Sequence, residues 1–324
     1  MKLRRFGRTD WQVSEIGYGM WAVGGQWGGA EDEANLRALH LAVELGANFF
    51  DTALAYGDGH SERLLGRLLK ETQGKRLFSA TKVPPKNCVW PANPSHSVHD
   101  TFPAEHIRRS VETSRANLGV ETIDLVQFHV WDDGWAADDG WKREIERLKS
   151  EKRIAAFGIS INRWEPANVV KALRTGLVDA VQVIYNIFDQ APEDELFPLC
   201  RDLDVAVIAR VPFDEGTLTG TLTLDTRFPA NDWRSHYFTK ENLVPSVERA
   251  EKLKRALPAG LSLPDAALRF ILSEKSVATT IPGMRKEAHV RANIAASDGR
   301  ALPESLIAAL RQHRWDRKPA PWSA

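Results

Sequence analysis

Cysteine is scarce: the 324 residues carry two, Cys88 and Cys200, far apart and without a second pair. That excludes a disulfide framework and a cysteine zinc site, fits a reducing compartment, and leaves each reading as a buried thiol. An excess of one charge is lacking as well, since 43 Lys plus Arg balance 43 Asp plus Glu. No global field then draws the chain to nucleic acid or to an anionic membrane, and the expected partner is a small molecule. Nowhere do about 18 uncharged apolar residues run together, and the basic start MKLRRFGRTDWQVSEIG has no apolar stretch behind it. The expectation is a soluble, cytoplasmic protein. No linker, low-complexity run or composition shift divides the sequence, so a single domain over residues 1–324 is the simplest organisation.

What is present is alternation. With 43% apolar and 27% charged residues the chain can bury a large core. Strand candidates are Ile16 to Met20, Asn48 to Asp51, Leu77 to Val83, Ile123 to Val130, Ile154 to Ser160, Ala180 to Tyr185, Ala206 to Val211 and Val277 to Pro282. Helical periodicity fills Glu31 to Leu45, Ser61 to Lys70, Glu105 to Leu118, Trp141 to Lys149, Pro166 to Leu173, Glu193 to Leu203, Pro264 to Ser273 and Glu287 to Ala296. Each strand is followed by a helix, and the runs are too apolar for one-sided exposure. The pattern predicts a parallel α/β sheet covered by helices, and this number of units closes a (β/α)8 TIM barrel; an open doubly wound sheet is the alternative. Three pieces lie outside the repeat: an N-terminal β-hairpin around Gly7 to Asp10, an extra helix Val244 to Leu257 before the seventh barrel helix, and a C-terminal helix Pro303 to Arg314. The connection from Pro212 to Asn242 has no clear period, and a stretch that long suits a cover for a ligand.

Ionisable residues close several of the apolar runs. Asp51 ends FFD, Tyr56 follows in the loop AYGDGHSE, Lys82 ends ATKV and His129 ends DLVQFHV. Desolvating an isolated charge costs several kcal/mol unless it is paired or used, so these strand ends are expected to converge on one polar site. In a barrel they share the mouth at the carboxyl ends of the strands. Taken singly, a strand-end Asp is usually a cap, a Lys a solvated end and a His a satisfied core residue; the joint spacing favours chemistry. A tyrosine hydroxyl titrates near 10 and is a poor acid at neutral pH until a cation stabilises its phenolate. Lys82 supplies that charge, Asp51 holds Lys82, and His129 can donate to a carbonyl oxygen.

The chain resembles the aldo-keto reductases through GYGMW (Gly17 to Trp21), FFDTALAYGDGHSE, ATKV, IDLVQFHVW, AAFGISIN, VDAVQVIYN, the GTLTG loop and TTIPGMRKEAHVRANIAA. That resemblance implies a barrel that binds NADP(H) without a Rossmann fold and reduces aldehydes or ketones to alcohols, reversibly. Tyr56 is then the proton donor, Lys82 its modulator, Asp51 the partner of Lys82, and His129 the group that orients the carbonyl. By the same resemblance Ser160 and Gln182 grip the nicotinamide carboxamide. Asn162 shares the task, although the family more often places Asn directly after Ser, and here Ile161 intervenes. Arg210 stands where many members carry an aromatic residue under the nicotinamide; a guanidinium stacks similarly, but its charge alters cofactor affinity. Gly216, Leu218 and Gly220 of the GTLTG loop match the segment over the pyrophosphate. Ile281 and Gly283 lead into a helix whose amino end suits an anion. Arg285 matches the residue facing the adenosine 2′-phosphate, which favours NADP over NAD, and His289 and Asn293 match contacts of the adenine end.

Several further features carry less weight. Gly17, Gly19 and Ala22 fit a dinucleotide fingerprint, yet Gly24, Gly25, Gly28 and Gly29 follow and no helix opens. His96, His99 and His106 fall in a Pro- and Ser-rich stretch that reads as a surface loop, and no metal site is expected. Of the 11 Trp, Trp21, Trp27, Trp90 and Trp131 lie near the expected mouth. Trp21 and Trp131 are expected to wall an apolar substrate pocket, the others to serve packing. A rival reading is a cofactor-sensing regulatory subunit, for which a partner-binding extension would speak, and none is evident before the first strands. A barrel hydrolase would need clustered metal ligands or an activated Ser, and Ser160 has no base beside it in sequence.

Overall fold

Residues 1–24, 32–230 and 232–317 are described by the computed structural model. The first two strands, β1 (Leu3–Arg5) and β2 (Gln12–Ser14), form an antiparallel hairpin, with Leu3 opposite Ser14. Eight parallel strands follow: β3 (Tyr18–Gly19), β4 (Phe49–Asp51), β5 (Phe78–Val83), β6 (Ile123–Phe128), β7 (Ile154–Ser160), β8 (Ala180–Ile184), β9 (Ala206–Arg210) and β10 (Val277–Thr280). They lie in sequence order, and bridges from Ile16 to Thr280 and from Gly19 to Gly283 bring the last strand back to the first. The architecture is the (β/α)8 barrel.

Burial on both faces explains why these runs are apolar throughout: every residue of β4, β5 and β8 is buried. Inside the barrel Phe49, Phe78, Ala80, Leu125, Ala156, Ala180 and Ile208 form one cluster. Phe6 and Val13 of the hairpin join it, Phe6 lying 5.4 Å from Phe49 between ring centroids, so the hairpin stoppers the amino end. A site must open at the other end. The glycines of the supposed dinucleotide fingerprint serve closure instead, because a Cβ on Gly19 would come within 2.5 Å of the Ile281 carbonyl. After β3 comes a 3-10 turn, Trp21–Gly24.

The helices between strands are Asp32–Glu44, His60–Glu71, Ala104–Leu118, Asp139–Ser150, Val170–Arg174, Leu196–Asp202, Leu263–Ser273 and Glu287–Ala295. The fifth is shorter than its sequence period suggests, because Asp133 reaches across from a neighbouring loop and accepts the N–H groups of Lys171 and Ala172, fixing the start there. Extra helices Lys240–Ala256 and Glu304–Arg311 stand where expected, the former running through Pro245. Cys200 is buried, and burial pushes its thiol up to about 12. Cys88 corrects the expectation: it is exposed, in the loop after β5, with a left-handed φ of 56°. No helix among the described residues is long and apolar enough to cross a membrane.

Candidate active site

Strand alternation decides what points into the barrel. Phe49, Ala80, Leu125, Gly158, Ala180 and Ile208 point inward, so the residues two further along, Asp51, Lys82, Gln127, Ser160, Gln182 and Arg210, form the next inward layer at the carboxyl ends. That layer is polar throughout. Gly158 makes room for it, since a Cβ there would sit 3.0 Å from Gln127 Cγ.

Within the layer, Lys82 Nζ donates to Asp51 Oδ1 at 2.5 Å and to the Thr52 carbonyl at 2.8 Å, and stands 3.5 Å from the Tyr56 hydroxyl. Both members of the ion pair are buried. The other oxygen of Asp51 accepts from Gln182 Nε2 at 2.7 Å and Gln127 Nε2 at 3.2 Å. The carboxylate is therefore fully satisfied and fixed. The Tyr56 loop is held by packing against Gly24, where a Cβ would approach the Tyr56 carbonyl carbon to 2.8 Å, and by Ser61, which accepts from Thr52 Oγ1 and donates to the Met20 carbonyl.

Burial raises the Tyr56 phenol and outweighs the opposing pull of Lys82, so the hydroxyl keeps its proton at neutral pH. His129 meets Tyr56 edge-on at 5.6 Å between ring centroids. Burial first, then Lys82 and Arg210, hold the imidazole well below its usual range and hence neutral, and its Nδ1 is buried without a partner. Asp51, Tyr56, Lys82 and His129 thus come together as the sequence suggests. Gln127 was missed. Its signal was a polar residue on the inward face of an apolar strand.

The other half of the mouth is formed by β7 to β9. Ser160 pairs with Gln182 across the strands. Asn162 lies half-buried just beyond. Gln182 spends its amide nitrogen on Asp51, so its Oε1 is the end left to meet a ligand. Arg210 Nη2 donates to the Ile161 carbonyl at 3.0 Å, while its Nε is buried without a partner. The GTLTG loop is a 3-10 segment, Asp214–Thr219, with Gly216 at φ 116° and open space around its absent Cβ. Leu218 has its side chain buried in the core, and its N–H donates to the Phe213 carbonyl. The amides of Gly216 and Gly220 are likewise spent within the loop, on Phe213 and Thr217, because the 3-10 winding claims them.

Two arginines, Arg163 half-buried and Arg317 buried, anchor this loop. Arg163 binds Glu215 at 2.8 Å and the Tyr237 hydroxyl at 2.6 Å. Arg317 binds Asp214 and Asp189, each at 2.7 Å. Beyond β10, Ile281 is buried, and Gly283 is exposed with open space where a Cβ would stand. Arg285 is half-buried, His289 is exposed and Asn293 is buried on the following helix, Glu287–Ala295, whose amino end carries no side-chain cap. Burial, Lys286 and Arg285 together lower the His289 imidazole.

Trp131 does not wall a pocket. It is fully buried, stacked near Phe128 and edge-on to Trp135 and Trp141, because the chain after His129 turns it towards the helices. Trp90 takes the position at the mouth, edge-on to His129 and 44% exposed. Trp21 is half-buried against Trp233 at 5.6 Å. Trp27 lies outside the described residues. His96, His99 and His106 bond separately, to Asn87, Asp138 and the Pro84 carbonyl. Among the described residues no three His, Cys, Asp or Glu side chains are placed to share a metal.

The model of the aldo/keto reductase family matches residues 15–314. A relative from Escherichia coli K12, named an NADH-specific methylglyoxal reductase, is 29% identical over 314 residues, which cover 91% of this chain and 93% of its own. Among solved structures, the glycerol dehydrogenase AKR11B4 from Gluconobacter oxydans superposes with a TM-score of 0.78 at 28% identity, covering 99% of this chain and 98% of its own. The holo form of the aldo-keto reductase AKR11C1 from Bacillus halodurans also gives 0.78, at 26% identity, over 98% and 97% of the two chains.

Proposed function

The chain belongs to the aldo/keto reductase family, and we propose that it reduces an aldehyde or ketone to the alcohol, reversibly, with Tyr56 as proton donor and NADP(H) as cofactor. One observation carries the reading: the Lys82 ammonium, fixed by Asp51, stands 3.5 Å from the Tyr56 hydroxyl. Burial keeps the proton on the phenol until a carbonyl oxygen draws it off, and the phenolate left behind then faces a cation. Neutral His129 offers a hydrogen bond to the same oxygen and orients it. A bound nicotinamide supplies the hydride.

The residues fit such a cofactor. Arg210 Nε and His129 Nδ1 are buried polar atoms awaiting partners, and Gly216 and Gly283 leave backbone accessible to close approach. Ser160, Asn162 and Gln182 would hold the carboxamide, Arg210 the ring, and Ile281 would wall the path to Gly283; Gly216, with open space at its missing side chain, would let the pyrophosphate come close to the loop, although the Gly216 and Gly220 amides are already spent within it. Arg285 would face the 2′-phosphate, with His289 and Asn293 at the adenine. The choice of NADP(H) rests on Arg285 and its neighbour Lys286, and it departs from the name of the NADH-specific E. coli relative. We read the chain as one domain, cytoplasmic, with a small-molecule partner and neither nucleic acid nor membrane.

Tyr56→Phe tests the reading. Turnover on a generic aldehyde should fall by about 10²-fold or more while cofactor binding stays within about twofold. A variant that keeps a tenth of the activity would show that another group delivers the proton.

A further inference from the structure

Two cations stand in the polar layer, and among the described residues only one has a carboxylate in contact. Lys82 has Asp51 at 2.5 Å. Arg210 has no carboxylate at ion-pair distance among the described residues: Glu215 is bonded to Arg163, and Asp51 to Lys82. One Arg210 nitrogen donates to Ile161, and Nε is buried without an acceptor. A guanidinium in such surroundings keeps most of its positive field. Its anchor, the Ile161 carbonyl, lies between Ser160 and Asn162, the residues read above as gripping the nicotinamide carboxamide. The field of Arg210 also reaches Tyr56 and His129 across the mouth. Glu215 and Asp51 offset part of that field without touching the guanidinium, so a ring held between these groups lies beside a cation with no carboxylate in contact.

We propose that Arg210 makes the site discriminate between the redox states of its cofactor, binding the reduced, uncharged nicotinamide in preference to the oxidised, cationic one. The inference rests on the cofactor reading above. The two ring forms differ by one positive charge, and a fixed cation beside the ring repels only the oxidised form. The dinucleotide remainder is common to both and cancels in the comparison. Oxidised cofactor then leaves readily and reduced cofactor takes its place, which suits a protein working as a reductase where both forms are present.

The experiment is a titration of tryptophan fluorescence with NADPH, NADP+, NADH and NAD+ on the wild type, Arg210→Met, Arg210→Gln and Arg210→Lys. The ratio of oxidised to reduced Kd should exceed one in the wild type and fall roughly tenfold in Arg210→Met and Arg210→Gln, as expected for removing a unit charge from a half-dry site. Arg210→Lys should keep the wild-type ratio, which a merely structural role would not require. Far-UV circular dichroism checks folding, and either neutral variant alone suffices. A wild-type ratio of one or less, or a neutral variant that retains the wild-type ratio, overturns the inference. Failure of the wild type to bind any of the four dinucleotides would instead overturn the cofactor reading, and the inference with it.

Discussion

The indole of Trp90 meets the imidazole of His129 edge-on, with ring centroids 4.6 Å apart and planes at 90°. An exposed aromatic held beside His129 is placed to touch a ligand that, on the proposed function, the imidazole orients. Trp90→Ala should raise KM for a bulky aromatic aldehyde about five- to tenfold, the worth of one aromatic contact, and leave kcat within about twofold. A two- or three-carbon aldehyde should be nearly unaffected. Equal KM changes for both sizes would remove Trp90 from the pocket.

On the proposed function, Arg285 faces the phosphate that distinguishes the two dinucleotides. Arg285→Ala should weaken NADPH by about ten- to a hundredfold, as expected for losing a charge-assisted contact, and leave NADH within about threefold. Equal losses for both cofactors, read by fluorescence titration, would show that this side chain does not read the phosphate.

His129 sets a pH dependence whose sign follows from its environment. Its folded pKa lies well below the ordinary 6.5, so the unfolded chain takes up a proton first as the solution is acidified. Stability is unaffected by this group above about pH 6.5 and falls below it by up to ~1.4 kcal/mol per pH unit until the folded pKa is reached. Urea melts of the wild type and His129→Asn between pH 7.5 and about pH 5 should diverge with that slope. Parallel curves would mean that the imidazole titrates normally.

Arg317 joins the last described turn of the chain to Asp189 and Asp214. Arg317→Gln leaves Asp189 without a counter-charge and Asp214 with only Arg163 at 3.4 Å, and should cost about 3 kcal/mol in stability. Hydrogen exchange should quicken over residues 213–238 well before it does in β5 to β7. Uniform quickening would argue against a local tie.

The barrel was legible because its strands are buried on both faces, which writes them as unbroken apolar runs. Asp51, Lys82 and His129 were legible for the same reason, each being an ionisable residue at the end of such a run. Gln127 was harder to see, since one amide inside IDLVQF signals only when the inward parity of the strand is known. Trp131 misled because an aromatic just past a strand end can turn to the mouth or to the helices, and packing against Trp135 and Trp141, both outside the strand's own pattern, decides. The inward turn of the Leu218 side chain was equally illegible: in a loop read as a string, nothing distinguishes the residue that winding turns inward.

Phe6 and Val13 close the amino end and the inward side chains above them fill the barrel, so a ligand can reach the polar layer only from the carboxyl ends of the strands. On the proposed function, cofactor and substrate share that single entrance, and product-inhibition kinetics should show one of them binding before the other.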